Sequence, residues 1–263
     1  MPATPVQSST KRKTLHDYFD HKPSHDDKKT KPALGASFHA AAAAAAATSI
    51  SHVPGLSMLE SFVTAEEEAS ILDFLDSQKW RTDLARRTMH FGGTYCLMPP
   101  RNASPGTRKK TEQNIITAPA MPPELGFVID RMVEHGLYLK GALPEFCIVN
   151  EYLPGQGISA HVENFRFGEP VCSLTLAGAD SMRFHELEAA NDGSVRSGKA
   201  AAAPRTGTRR DVLLQRRSLV ILKEDARSKW QHEIVRGRES SKPPSWRRVS
   251  LTFRVEKPGK AGR

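Results

Sequence analysis

Cysteine is scarce in this 263-residue chain: the three present, Cys96, Cys147 and Cys172, are widely spaced and form no Cys-x-x-Cys pair. An odd, scattered set argues against a disulfide framework and against a cysteine zinc site, and fits reduced thiols in an intracellular protein. Long apolar runs are also missing. No stretch approaches the ~20 residues that a membrane span needs, and Met1 to Thr10 lacks the apolar core of a secretory signal. The expectation is a protein without membrane association, located in the nucleus or also in the cytoplasm. Acidic residues are outnumbered, 29 Asp and Glu against 38 Lys and Arg, which leaves a net charge of +9. Such an excess favours an anionic partner, of which nucleic acid is the commonest.

The chain divides near residue 55. Residues 1–52 are rich in Ser, Thr, Pro, Lys, Asp and His and run into eight alanines, Ala40 to Ala47. That composition has too little apolar surface to order itself, so a disordered basic, alanine-rich arm is expected. Within it lies Lys11-Arg-Lys-Thr-Leu-His-Asp-Tyr-Phe19. The spacing of Leu15, Tyr18 and Phe19 puts three apolar side chains on one face of a helical turn, a shape that fits a hydrophobic pocket. It resembles the motif by which repair and replication proteins dock on the sliding clamp PCNA, although Arg12 stands where a glutamine is expected. The plain alternative is a charge run or nuclear import signal beside a chance aromatic pair.

Residues 53–257 read as one folded domain, strongest over 145–255, with 258–263 as a tail. Ala65 to Gln78 carries Ala69, Ile71, Leu72 and Leu75 at helical spacing, and Thr64 with Glu67 matches a capping box. Pro123 to Gly136 repeats the pattern through Leu125, Val128, Ile129, Met132 and Val133. After Gly141 come short β-type runs: Glu145 to Tyr152, Val171 to Leu176, Ser181 to His185, Asp211 to Leu214, Ser218 to Leu222 and Arg248 to Val255. Helices followed by many short strands indicate an α+β fold with a jelly-roll core, that is, a double-stranded β-helix flanked by N-terminal helices. Residues 186–210 lack periodicity and read as a long surface loop.

Several side chains carry chemistry. His161, Glu163 and His232 supply two imidazoles and a carboxylate, a set suited to a facial metal triad with open positions. On a strand, His161 and Glu163 would point the same way. In Arg248 to Arg254 the residues Arg248, Ser250, Thr252 and Arg254 share one face while Val249, Leu251 and Phe253 share the other. The two arginines start ~20 Å apart along a strand, so they should serve different ends of a site. Each element alone also has an ordinary explanation: a surface His-x-Glu pair, a histidine packed beside Trp230, an exposed edge strand.

The ordered series Asn150-Glu-Tyr-Leu-Pro-Gly-Gln-Gly-Ile-Ser-Ala-His161, Arg217-Ser-Leu, Trp230-Gln-His232 and Arg248-Val-Ser-Leu-Thr-Phe-Arg254 resembles the AlkB family of Fe(II)- and 2-oxoglutarate-dependent dioxygenases. The likeness spans roughly Gly55 to Glu256. It implies that His161, Glu163 and His232 hold Fe(II), with glutamate where the family usually has aspartate. It implies further that Asn150, Tyr152, Arg248 and Arg254 bind 2-oxoglutarate, Arg248 at its far carboxylate and Arg254 near the metal, with O2 as the oxidant. Arg86 to Gly93 resembles the family's substrate-covering lid, which makes Arg86, Arg87 and His90 candidate substrate contacts. The implied activity is oxidative demethylation of alkylated bases in nucleic acid by a monomer, in DNA repair. Two alternatives stand beside it: the same chemistry on RNA or protein, and a catalytically impaired nucleic-acid-binding module.

Overall fold

The computed structural model describes residues 46–96, 115–189, 203–237 and 242–257. Strands β1 (Thr48–Ser49) and β2 (Leu56–Leu59) precede helix α1 (Ala65–Ser77), and β3 (Arg87–Phe91), β4 (Thr94–Cys96) and β5 (Ile115–Thr117) follow it. A 3-10 turn at Pro123–Leu125 runs into α2 (Gly126–Glu134). Next come β6 (Phe146–Tyr152), β7 (Ile158–His161), β8 (Val171–Leu176), β9 (Asp180–Leu187), β10 (Arg205–Leu214) and β11 (Leu219–Leu222). The short helix α3 (Glu224–Ser228), β12 (Trp230–Ile234) and β13 (Arg248–Arg254) complete the series.

Two antiparallel sheets form the core, in the orders β1-β2-β11-β8-β13-β6-β3 and β10-β9-β12-β7. Alternation along the strands gives the larger sheet two different faces. Cys147 and Val149 of β6, Cys172, Leu174 and Leu176 of β8, and Val249, Leu251 and Phe253 of β13 point to one side, where they pack with Ile71 and Leu75 of α1 and Val128, Ile129 and Met132 of α2. Toward the smaller sheet, Tyr152, Val171, Val220 and Leu222 meet Met182, Phe184, Val212, Leu214, Trp230 and Ile234. Two packed sheets with helices on one outer face make the expected jelly-roll core.

The helices are fixed by local chemistry. Thr64 Oγ1 accepts the Glu67 N–H at 3.1 Å, and Glu67 Oε2 accepts the Thr64 N–H at 2.9 Å, which completes the capping box. The same Glu67 carboxylate receives both terminal nitrogens of Arg131 on α2, at 2.7 and 2.8 Å, so the two helices are clipped together. Glu68, fully buried, accepts the Ala177 N–H at 2.7 Å in the turn between β8 and β9 and pairs with Arg216 at 2.7 Å. Ala177 has φ 68°, and its bond to Glu68 holds that left-handed residue in place.

Three expectations need correction. The stretch 186–210 is not a loop throughout: β9 extends to Leu187 and β10 begins at Arg205, paired across a register shift between Arg205 and Arg209. Gly207, at φ 92°, lies in that irregular stretch and breaks the alternation a sequence reading depends on. Arg87–Phe91, within the segment that resembles a lid, forms the edge strand β3, in register with β6 from Glu151 to Cys147. The second helix is shorter than Pro123 to Gly136, because its first turn is 3-10. Finally, β1 adds a strand ahead of residue 53. The clamp-like segment with Leu15, Tyr18 and Phe19 and the tail lie outside the described residues.

Removing the Glu68 side chain leaves the half-buried Ala177 N–H without its acceptor and Arg216 without its carboxylate, so Glu68→Ala should lower stability by about 1–3 kcal/mol. Glu68→Gln retains an acceptor and should cost less; urea unfolding of both variants measures the difference.

Candidate active site

The inward face of the larger sheet carries a polar row. Thr88 of β3 lies opposite Asn150 of β6, Asn150 opposite Ser250 of β13, and Ser250 opposite Thr175 of β8. Two residues along, Tyr152 faces Arg248, and two residues the other way Thr252 faces Ser173, their hydroxyls 3.2 Å apart. The smaller sheet supplies the groups above this floor. His161 and His232 sit opposite each other where β7 pairs with β12, their ring centroids 4.4 Å apart.

Glu163 lies two residues beyond the end of β7, so strand alternation does not place it; its loop does. The ligand-type atoms of His161, Glu163 and His232 all lie within 4.8 Å of one another. His232 Nε2 is 3.6 Å from Glu163 Oε1. With ligand bonds of roughly 2.0–2.2 Å, one ion can gather the three after a small shift.

The protonation states fit that role. The Nδ1–H of His161 donates to the Ser159 carbonyl at 2.8 Å, which leaves Nε2 with its lone pair free to ligate. Burial, helped by the neighbouring His232, pulls the His161 imidazole down to about 4, so it is neutral at physiological pH. Burial pushes the Glu163 carboxyl up, but the Arg254 guanidinium and His232 outweigh it and hold the group well below the usual carboxylate range. His232 Nδ1 is buried with no hydrogen-bond partner, while its Nε2 faces the Glu163 carboxylate. Two imidazoles, one of them held neutral, and one charged carboxylate, with Glu163 and His232 buried and His161 half-buried, are a donor set that suits a divalent iron ion.

The two arginines of β13 behave differently. Arg254 grips the Glu163 carboxylate with Nε at 2.8 Å and Nη2 at 3.0 Å. It thus lies at the metal end but is engaged by a triad residue. Arg248 is fully buried, stands 5.3 Å from the Tyr152 ring centroid, and donates to Thr175 Oγ1 at 3.0 Å, with the Tyr152 side chain as a further partner and Asp180 acting from a distance. Its Nε has no partner at all. A buried guanidinium left this incomplete is a site prepared for an anion, and the far carboxylate of a dicarboxylate matches it.

The three candidate substrate contacts separate. Arg87 pairs with Glu151 through both Nε and Nη2 and lies over Trp80, on the face of β3 away from the floor. Arg247 also reaches Glu151, at 2.7 Å, so Arg87 belongs to a structural ion network. Arg86 donates from Nε to Asn150 Oδ1 at 2.7 Å. Because arginine only donates, this bond fixes the amide so that its NH2 points the other way. His90 sits edge-on to Tyr95, and its Nδ1 is buried without a partner; burial first, then Arg81 and Arg254, lowers it to about 4. Sequence reading missed Thr88, Ser173 and Thr175. The last two were detectable as polar residues alternating with Cys172, Leu174 and Leu176.

Comparison with known proteins agrees with this geometry. A family model of the 2OG-Fe(II) oxygenase superfamily matches residues 55–254. The fold and site therefore define an oxygenase that takes Fe(II), 2-oxoglutarate and O2. The human alpha-ketoglutarate-dependent dioxygenase alkB homolog 4 is 30% identical over 223 residues, covering 76% of this chain and 67% of that protein. The "Alkylated DNA repair protein ALKBH8 homolog" of Arabidopsis thaliana is 26% identical over 212 residues, and the match spans 77% of this chain but 58% of that protein's length. The solved structure of OsALKBH1 superposes with a TM-score of 0.50 at 16% identity, covering 76% of this chain and 98% of that one, which supports the fold. The chain belongs to the AlkB family of these dioxygenases.

If Arg248 receives the far carboxylate, Arg248→Gln should weaken 2-oxoglutarate binding about 10- to 100-fold, the worth of a charge-assisted bond. Calorimetry should find Mn(II) affinity unchanged in that variant, lost in Glu163→Ala and retained in Glu163→Asp.

Proposed function

We propose that this dioxygenase removes alkyl groups from bases in nucleic acid by oxidative demethylation, in DNA repair. The observation that carries the reading is a largely buried His-Glu-His cluster, with His161 half-exposed at its edge, beside the anion-ready Arg248, in a chain of net charge +9. His161, Glu163 and His232 would hold the iron, and Arg248, Tyr152 and Asn150 the 2-oxoglutarate. Iron with its co-substrates supplies the oxidising power when bound, while the chain supplies position and exclusion of water. Arg254 keeps the Glu163 carboxylate charged and aimed, and Arg86 fixes the Asn150 amide.

A base must leave its stack, or be single-stranded, to reach so enclosed a centre. Phe165, two residues beyond Glu163 and 61% exposed, offers a ring on which a base can stack. Arg209 and Arg210, exposed on the edge strand β10, can meet phosphates by salt-sensitive contacts. The name of the Arabidopsis relative points to alkylated DNA. Clamp docking through Leu15, Tyr18 and Phe19, a nuclear location and a monomeric state belong to the same proposal.

Incubation with Fe(II), 2-oxoglutarate and matched DNA and RNA oligonucleotides bearing N-methyl bases should release formaldehyde and shorten the DNA product's mass by one methylene. Turnover confined to RNA would move the substrate to RNA, and 2-oxoglutarate consumption with every oligonucleotide intact would favour a protein substrate. In clamp pull-down, a Leu15→Ala/Phe19→Ala double variant should lose retention; undiminished retention would remove the docking role.

A further inference from the structure

The loop from Asn164 to Pro170 joins Glu163 to β8. Little regular structure holds it: Gly168 N–H reaches the Val255 carbonyl at 2.8 Å, and Phe167 bridges to Glu256. Into this loop reaches Arg227 of α3, 2% exposed. Its Nε donates to the Gly168 carbonyl at 3.2 Å, and its Nη2 donates to the carbonyls of Asn164, at 3.1 Å, and Phe167. Each hydrogen-bond partner described for this buried cation is main chain. Acidic groups act on it only from a distance, through Glu163 and Glu169.

A buried guanidinium is expensive to hold without a bonded carboxylate. Lysine could not replace it, since only a planar fork reaches several carbonyls at once. The placement gives the expense a purpose. The gripped loop begins immediately after Glu163, and α3 leads directly into β12, which carries His232. A second tie joins the same two pieces, from the Glu224 N–H to Glu169 Oε2 at 3.0 Å.

We propose that Arg227 is a positioning residue for the metal centre, setting the spacing between Glu163 and His232 by gripping the carbonyls of Asn164, Phe167 and Gly168. The inference rests on the reading of His161, Glu163 and His232 as metal ligands. Groups that orient metal ligands from behind typically account for 10- to 100-fold in affinity.

The test is Mn(II) affinity by calorimetry and the visible absorption of the Co(II)-loaded full chain. His161→Ala serves as the check on the ligand set: if it leaves Mn(II) affinity intact, the ligand reading itself fails. With that check passed, Arg227→Lys should weaken Mn(II) about tenfold or more and alter the Co(II) bands. Arg131→Gln, which cuts the remote clip between α1 and α2, should destabilise the chain yet leave both readouts unchanged. Glu169→Ala, at an exposed position, should weaken Mn(II) by a smaller factor, and it decides the matter if Arg227→Lys does not fold. The proposal is overturned if Arg227→Lys, or in its place Glu169→Ala, binds Mn(II) as the parent does with the same Co(II) spectrum. It is equally overturned if Arg131→Gln produces the same loss.

Discussion

The site depends on one buried ion pair, Glu163 with Arg254. Taking both charges out of water costs several kcal/mol per ion, and only good geometry recovers it. Here the carboxylate meets the guanidinium through two nitrogens at 2.8 and 3.0 Å, the fork arrangement that recovers most. The pair also spans the sandwich, because Glu163 follows β7 of the smaller sheet while Arg254 ends β13 of the larger. It therefore fixes where one layer lies over the other at the point where the ligands converge. It also keeps the carboxylate charged in an enclosure that would otherwise favour its protonated form.

That pairing divides the labour between the two arginines of β13. Arg254 has a carboxylate bonded to it through two nitrogens, whereas Arg248, six residues along the same face, has a threonine hydroxyl and Tyr152, with Asp180 acting only from a distance. A divalent ion added to this enclosure leaves a large positive excess. A dicarboxylate is the ligand that offsets it at both ends at once, near the metal and at Arg248. The co-substrate class thus follows from charge balance as well as from the family.

Much of this was legible in the sequence where side-chain alternation was clean. Arg248 to Arg254 separates into apolar and polar faces as written, and Thr64 with Glu67 caps α1 as the spacing requires. Legibility failed where position is set by partners distant in the chain. Arg87 to Phe91 was legible only through its likeness to a lid, and neither its pairing with β6 as a strand nor the hold of Glu151 on its arginine shows in the local sequence. Glu163 was expected to share a strand face with His161, but β7 stops at His161 and the loop does the placing. Arg227, in Glu-Asp-Ala-Arg-Ser-Lys, looks like any solvated helical turn; only the fold turns it inward.

These failures have a common cause. The candidate ligands come from three segments, β7, the loop behind it and β12, and no one of them holds the others through local structure alone. His161 and His232 are fixed to each other by strand pairing, whose register leaves little freedom. Glu163 has no such ladder, so its position must come from side chains: Arg254 from the opposite sheet, and Arg227 with the Glu169 tie to α3, the helix that leads into the strand carrying His232. A longer carboxylate than the family's usual aspartate has one more rotatable bond to restrain. Two guanidinium groups, one on the carboxylate itself and one on the main chain just beyond it, are the restraint this fold provides.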